Sequence, residues 1–198
     1  MTRAFVTGVS GQDGSYLAER LLADGVEVHA LHHDAEDPPA LCPPEVALHV
    51  GNLTDTDAVR RLVLDLAPDE IYNLAAVSSV ARSWEEPALV AAVNGTAAVD
   101  LLESAWQAQE RAGRQVRFVQ ASSAEIFGRP ELSPQDESTL VRPVNPYGAA
   151  KAHAHAMVGV YRHRGLHAVA TVLYNHESPR RPAHFVTRKI TSTVAAIA

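Results

Sequence analysis

Ala4-Phe5-Val6-Thr7-Gly8-Val9-Ser10-Gly11-Gln12-Asp13-Gly14-Ser15-Tyr16-Leu17 decides the fold. A short apolar run ends in glycines. A helical pattern follows from Ser15 to Asp24, with Leu17, Leu21 and Leu22 on one face and Gly25 as its stop. The glycines are spaced Gly8-x-x-Gly11-x-x-Gly14 between the strand and the helix. Glycines there let backbone amides approach a pyrophosphate, and the helix N-terminus favours its negative charge. The other reading of the same residues is a tight turn that merely packs well.

Strand and helix patterns alternate from there on. Val26 to Leu31, Leu48 to Val50, Ile71 to Leu74, Val116 to Ala121 and Ala168 to Leu173 read as five further strands. Asp55 to Leu66, Pro87 to Arg111, Pro146 to Arg164 and Val186 to Ala198 read as helices, and Asp34 to Pro44 and Gly128 to Pro143 as loops. Alternation of this kind predicts an α/β fold: a doubly wound, mainly parallel Rossmann sheet covered on both faces, with a cofactor across its carboxyl edge. The β-branched run Val169 to Leu173 predicts a buried strand. The last helical pattern has no stop signal, which suggests that the chain continues or has been cut.

Composition narrows the class. The chain has 198 residues, 46% apolar and 20% charged, and a net charge of −6, so disorder and a basic nucleic-acid face are not expected. Cys42 is the single cysteine; no internal disulfide is possible, which fits a cytoplasmic protein. No signal core and no membrane span are expected. His32-His33 and His153/His155 lack metal-ligand company, so no metal is expected.

Two further groups carry chemistry. In Asn145-Pro146-Tyr147-Gly148-Ala149-Ala150-Lys151, Asn145 can cap a helix and Pro146 suits its first position. Tyr147 and Lys151 then share one face. A nearby ammonium stabilises phenolate, so Lys151 is expected to lower Tyr147 toward operating pH and make it an acid/base for a sugar hydroxyl. Ser122-Ser123-Ala124-Glu125 follows the fifth strand, at a carboxyl end where ligands bind. Ser123 can bond a substrate oxygen beside Tyr147, and Glu125 can move a second proton. Position 32, where many such folds place an acid for the adenosine ribose, is His32.

These residues together resemble an extended short-chain dehydrogenase/reductase. Thr7 to Leu17, Glu70 to Leu74, Gln120 to Glu125, Tyr174-Asn175-His176-Glu177-Ser178-Pro179-Arg180-Arg181 and Phe185 to Ile190 resemble the GDP-mannose 4,6-dehydratase family along essentially the whole chain. The similarity covers only the first part of the family's length, so the C-terminal substrate domain is largely absent. Residues 1–174 would be the dinucleotide-binding domain and 175–198 the start of the substrate-binding region.

The resemblance implies NADP-dependent oxidation at C4, elimination of water across C5–C6, and hydride return to C6. The product would be GDP-4-keto-6-deoxymannose. Ser123, Glu125, Tyr147 and Lys151 would be catalytic. Gly8, Gly11, Gln12, Asp13, Gly14, Asn52, Leu53, Leu74, Ala75, Ser78, Tyr147, Lys151, His176 and Arg181 would line the cofactor. Ser123, Asn175, Glu177, Arg188 and Lys189 would sit near a nucleotide-sugar substrate, GDP-mannose by resemblance. A homodimer or homotetramer is implied as well.

The chain departs from the family at several places. His33-Asp34 replaces an Arg pair, so NAD stands beside NADP as the expected cofactor. Asn52-Leu53 replaces Asp-Leu, and Ala75-Ala76-Val77-Ser78-Ser79 replaces Gly-Ala-Gln-Ser-His. Leu89 stands for a tyrosine and Pro182 for a glycine. A related sugar-nucleotide epimerase or reductase, and a non-catalytic dinucleotide-binding subunit or fragment, are the competing readings.

Overall fold

In a computed structural model, residues 1–33, 40–183 and 185–197 are described. Six strands run β1 (Arg3–Thr7), β2 (Glu27–His32), β3 (Ala47–Val50), β4 (Glu70–Asn73), β5 (Arg117–Ser123) and β6 (His167–Leu173). Every neighbouring pair is parallel, in the order β3-β2-β1-β4-β5-β6. The order reverses between β1 and β4, which opens a crevice at their carboxyl ends.

Seven α-helices complete the described chain: α1 (Gln12–Ala23), α2 (Thr56–Leu66), α3 (Val80–Glu85), α4 (Pro87–Val90), α5 (Ala97–Ala112), α6 (Pro146–His163) and α7 (Val186–Ile197). Alternation along β1 explains the two layers. Phe5 joins Ile71, Phe118, Leu101, Leu102, Val63 and Val158 in a core with α2, α5 and α6. Ala4 and Val6 point the other way, into a core with Ala18 and Leu21 of α1, Val28 and Ala30. Right-handed crossovers put helices on opposite faces once the strand order reverses.

The structure revises four expectations. α1 starts at Gln12 rather than Ser15, because the extended Gly11 serves as its cap residue. The expected helix from Pro87 is broken: a π-helical turn, Ala91–Thr96, separates α4 from α5, and α3 precedes both. β5 runs two residues past its expected end, so Ser122 and Ser123 lie in the strand and not after it. β6 is the sheet edge and only partly buried, with Val169 39% exposed. Its β-branched residues suit a strand in either kind of position, so the sequence could not separate edge from interior. The helical run Pro87–Ala112 is long and apolar enough to cross a bilayer by length and composition, but half of its most apolar window is buried inside the protein.

Candidate functional site

The glycine turn is built to close tolerances. Gly8 has φ +80°, and a Cβ there would stand 2.7 Å from the backbone nitrogen of Ala75 and 2.8 Å from the carbonyl carbon of Leu74. A Cβ at Gly14 would collide with the Gly8 carbonyl. Gly11 donates its N–H to Gly8 O at 3.0 Å, and no side chain caps the first amides of α1. Such a turn presents bare backbone and a helix N-terminus, which fits a dinucleotide diphosphate.

A buried polar chain crosses the strand ends beneath this turn. Thr7 Oγ1 donates to Asn73 Oδ1 at 2.6 Å, and Asn73 Nδ2 donates to Gln120 Oε1 at 2.8 Å. The amide of Ala75 reaches Thr7 Oγ1 at 3.2 Å, so Leu74 and Ala75 are held against the glycines. Asn94, in the π turn, takes Val77 N–H at 2.9 Å and gives Nδ2–H to Val77 O at 3.0 Å. Sequence reading missed Asn94; an amide inside an apolar helical run, followed by Gly95, was the available signal. Ser78 is exposed, and Ser79 caps α3 through the amide of Arg82.

The second corner joins β5 to α6. Asn145 works at both ends: Oδ1 accepts the N–H of Gly148 at 2.7 Å, capping α6, and Nδ2 donates to Glu125 Oε2 at 2.7 Å. The cap was legible in the sequence; the bond to Glu125 was not. Gly148 lets α6 approach, since a Cβ there would lie 2.5 Å from Glu125 O. Ser123 Oγ accepts the N–H of Glu125 at 3.2 Å, and its hydroxyl acts on the Tyr147 phenol nearby. Ser123, Glu125, Tyr147 and Lys151 therefore come together.

Their electrostatics differ from expectation. Burial pushes the Tyr147 phenol above its ordinary value; the Ser123 hydrogen bond and the Arg181 charge pull it down, and the Glu125 charge pushes it up. The predicted lowering by Lys151 is not what governs Tyr147 here. The Lys151 ammonium is 5.9 Å from the Tyr147 ring centroid and donates instead to Ala121 O at 2.9 Å. Lys151 is itself 3% exposed, and burial lowers it to about 8.

The segment after β6 returns to the first turn of α1. His176 Nε2 pairs with Asp13 Oδ1 at 2.8 Å and His176 Nδ1 with Tyr174 O at 2.7 Å; these bonds raise the His176 pKa. Ser178 Oγ donates to Gln12 Oε1 at 2.8 Å. Arg181 stacks on Phe185 at 3.6 Å and lies 3.5 Å from Glu177. Asn175 and Glu177 are exposed at this seam. Arg188 lines a recess of about 310 Å³ with Glu177, Ser178, Pro179, Thr187 and Thr191, while Lys189 lies outside that lining.

The adenosine side is plainer. Leu53 is buried in the core, whereas Asn52 turns on itself, its Oδ1 taking Thr54 N–H at 3.0 Å. His32 ends β2, buried, beside exposed His33. Asp34 lies outside the described residues.

A family model described as GDP-mannose 4,6 dehydratase matches residues 5–198. The chain is similar to the GDP-mannose 4,6-dehydratase of Yersinia enterocolitica, 43% identical over all of this chain and 56% of that one. It is similar to GDP-mannose 4,6 dehydratase 1 of Arabidopsis thaliana, 44% identical over 98% of this chain and 57% of that one. It therefore spans a little over half the length of these relatives. Among solved structures, the UDP-glucose 4-epimerase of Thermus thermophilus, a complex with NAD, superposes with a TM-score of 0.84 at 32% identity, over 96% of this chain and 61% of that one. With a family model matched from Phe5 to the end of the chain, and so over the glycine turn, the β5–α6 corner and the segment after β6, and with relatives 43–44% identical along essentially all of it, the chain belongs to the GDP-mannose 4,6 dehydratase family.

Proposed function

We propose that this chain is the dinucleotide-binding and catalytic part of a sugar-nucleotide 4,6-dehydratase acting on GDP-mannose. The observation that carries the reading is the β5–α6 corner, where one residue, Asn145, holds Glu125 and caps the helix that bears Tyr147. Two proton carriers on one rigid joint suit an elimination, which must move one proton at O4 and another at C5; a 4-epimerase needs only the one at O4.

Gly8, Gly11, Gln12, Asp13 and Gly14 would hold the diphosphate, with Leu74, Ala75, Ser78, His176 and Arg181 along the rest of the cofactor and Asn52 and Leu53 at its adenosine end. Residues 1–174 would form that dinucleotide domain and 175–198 the beginning of the substrate-binding region. Bound NADP, or NAD, supplies a hydride acceptor and donor, so oxidation at C4 and reduction at C6 cancel. Tyr147 takes the C4 hydroxyl proton while Ser123 bonds the same oxygen. Lys151 would hold the nicotinamide ribose, its ammonium standing 5.9 Å from the Tyr147 ring centroid. The 4-keto group acidifies the C5 proton; Glu125 removes it and passes a proton to the C6 hydroxyl, which leaves as water. A proton re-enters at C5, balancing the one taken from O4. Asn175, Glu177, Arg188 and Lys189 would sit near the substrate or its diphosphate.

The test is product mass after incubation with GDP-mannose and NADP or NAD. Loss of one water supports the dehydratase. An unchanged mass with a new sugar stereoisomer would mean an epimerase, the activity named for the Thermus structure. A gain of two hydrogens would mean a reductase. Dinucleotide binding with unaltered GDP-mannose would mean a binding subunit.

A further inference from the structure

We propose that Arg180 is a positioning residue that clamps the segment after β6 onto the first two turns of α1, and so joins the two halves of the dinucleotide site. The proposal rests on the dinucleotide reading above. Arg180 Nη1 donates to Ser15 Oγ at 3.1 Å, and Nη2 donates to Glu19 Oε1 at 2.6 Å. The guanidinium lies over the Tyr16 ring, 3.9 Å from its centroid. Its backbone N–H donates to Ser178 Oγ at 3.1 Å. Three successive contacts on α1 are thus taken by one side chain, across more than 160 residues of sequence.

Both serines lead to Gln12. Ser15 Oγ donates to the Gln12 carbonyl at 2.9 Å, and Ser178 Oγ donates to Gln12 Oε1 at 2.8 Å. Gln12 is held by main chain and side chain, and Arg180 stands behind both holds. The Asp13–His176 pair lies on the same seam. Asn175, His176 and Glu177 are all exposed, and that pair, a 3.4 Å bond from Gln12 Nε2 to His176 O and the Arg181–Glu177 ion pair share the seam with this clamp. The planar fork explains why arginine suits the place: it can donate to two acceptors and stack at once, whereas lysine offers a single point charge. A segment fixed before ligand arrives binds without the cost of ordering it.

The test compares the full chain with Arg180→Ala, Arg180→Lys and Glu19→Ala. Affinity for NADP and NAD is measured by titration calorimetry, and amide hydrogen exchange is followed at residues 12–15 and 175–181. Arg180→Ala is expected to weaken dinucleotide binding by about tenfold, the effect of reducing the binding-competent fraction to about a tenth. Exchange should quicken in both segments with the melting temperature little changed. Arg180→Lys should recover part of the affinity, and Glu19→Ala should lose less than Arg180→Ala. If Arg180→Ala lowers the melting temperature strongly, the milder two variants decide by the same readouts. Wild-type affinity in Arg180→Ala would overturn the proposal. So would weakened affinity with unchanged exchange at 175–181, which would mean direct ligand contact. If wild type binds neither dinucleotide, the dinucleotide reading itself fails, and unchanged exchange in Arg180→Ala would then overturn the clamp independently.

Discussion

α6 and α7 both carry residues that the sequence assigns to the site, yet they are held in opposite ways. α6 buries Gly148, Ala150, Lys151, Ala154, Val158 and Tyr161 against the sheet and its neighbours. α7 buries none of its described residues, and Val186, Ile190, Val194 and Ile197 form an apolar stripe that is 57–81% exposed. Their periodicities look alike in sequence. An apolar stripe says which face a helix would bury, and a partner decides whether it does. Chemistry that depends on a fixed geometry therefore belongs on α6, while Arg188 and Lys189 stand on a helix none of whose described residues is buried.

The comparison can be tested from its rigid end outward. The largest effect belongs to Gly14→Ala. Its Cβ meets the Gly8 carbonyl, backbone that cannot yield cheaply, so a loss above about 4 kcal/mol in denaturant unfolding and no dinucleotide binding are expected. Tyr147→Phe should leave stability unchanged within about 0.5 kcal/mol and cut GDP-mannose turnover by about 10²–10⁴. Normal turnover in Tyr147→Phe would sink the catalytic reading of α6.

Lys151→Met tests the same helix through pH. Burial lowers Lys151 to about 8 from 10.5. Between those values the unfolded chain holds more protons than the folded one, so this group makes stability rise with pH across that window. Below about 8 both states are protonated and the burial cost is present in full. Lys151→Met should therefore gain about 2 kcal/mol at pH 7, less toward pH 10, while losing dinucleotide affinity. Wild-type affinity should itself fall as pH rises past about 8, as the ammonium is lost. A pH-independent stability difference between the two proteins would contradict the buried ammonium.

Asn145→Ala removes the cap and the bond to Glu125 together. About 1 kcal/mol of stability should go, with a larger fall in turnover than the cap alone explains. Asn145→Asp restores the cap oxygen but sets a second carboxylate against Glu125, so it should recover only part of the stability and none of the turnover. At the other end of the scale, Ile190→Asp on α7 should change the stability of this chain by less than about 0.5 kcal/mol. A large loss there would mean that α7 is packed after all.

Local patterns carried most of the architecture. The glycine spacing, the strand and helix alternation, and the Asn-Pro start of α6 depend on near neighbours in the chain, so they could be read without coordinates. Failures came where neighbours in space decide. In the π turn Asn94 reaches back to Val77, and the partly buried state of β6 goes with its place at the edge of the sheet. Tyr147 shows the same division: its spacing from Lys151 was legible, but the direction of its pKa is set by burial and by Ser123, Glu125 and Arg181.

By itself the sequence determined the order of the elements, the position of the glycine turn and the set of reactive residue types, because each rests on backbone propensity and short spacing. Only the tertiary structure decided that Asn145 holds Glu125, that Lys151 turns to Ala121, and that Arg180 returns to α1. Those contacts join residues 20, 30 and 165 positions apart. Hydrogen bonds of that reach form only when packing has removed water and brought the partners to one place, and no periodicity in the chain encodes which partner arrives.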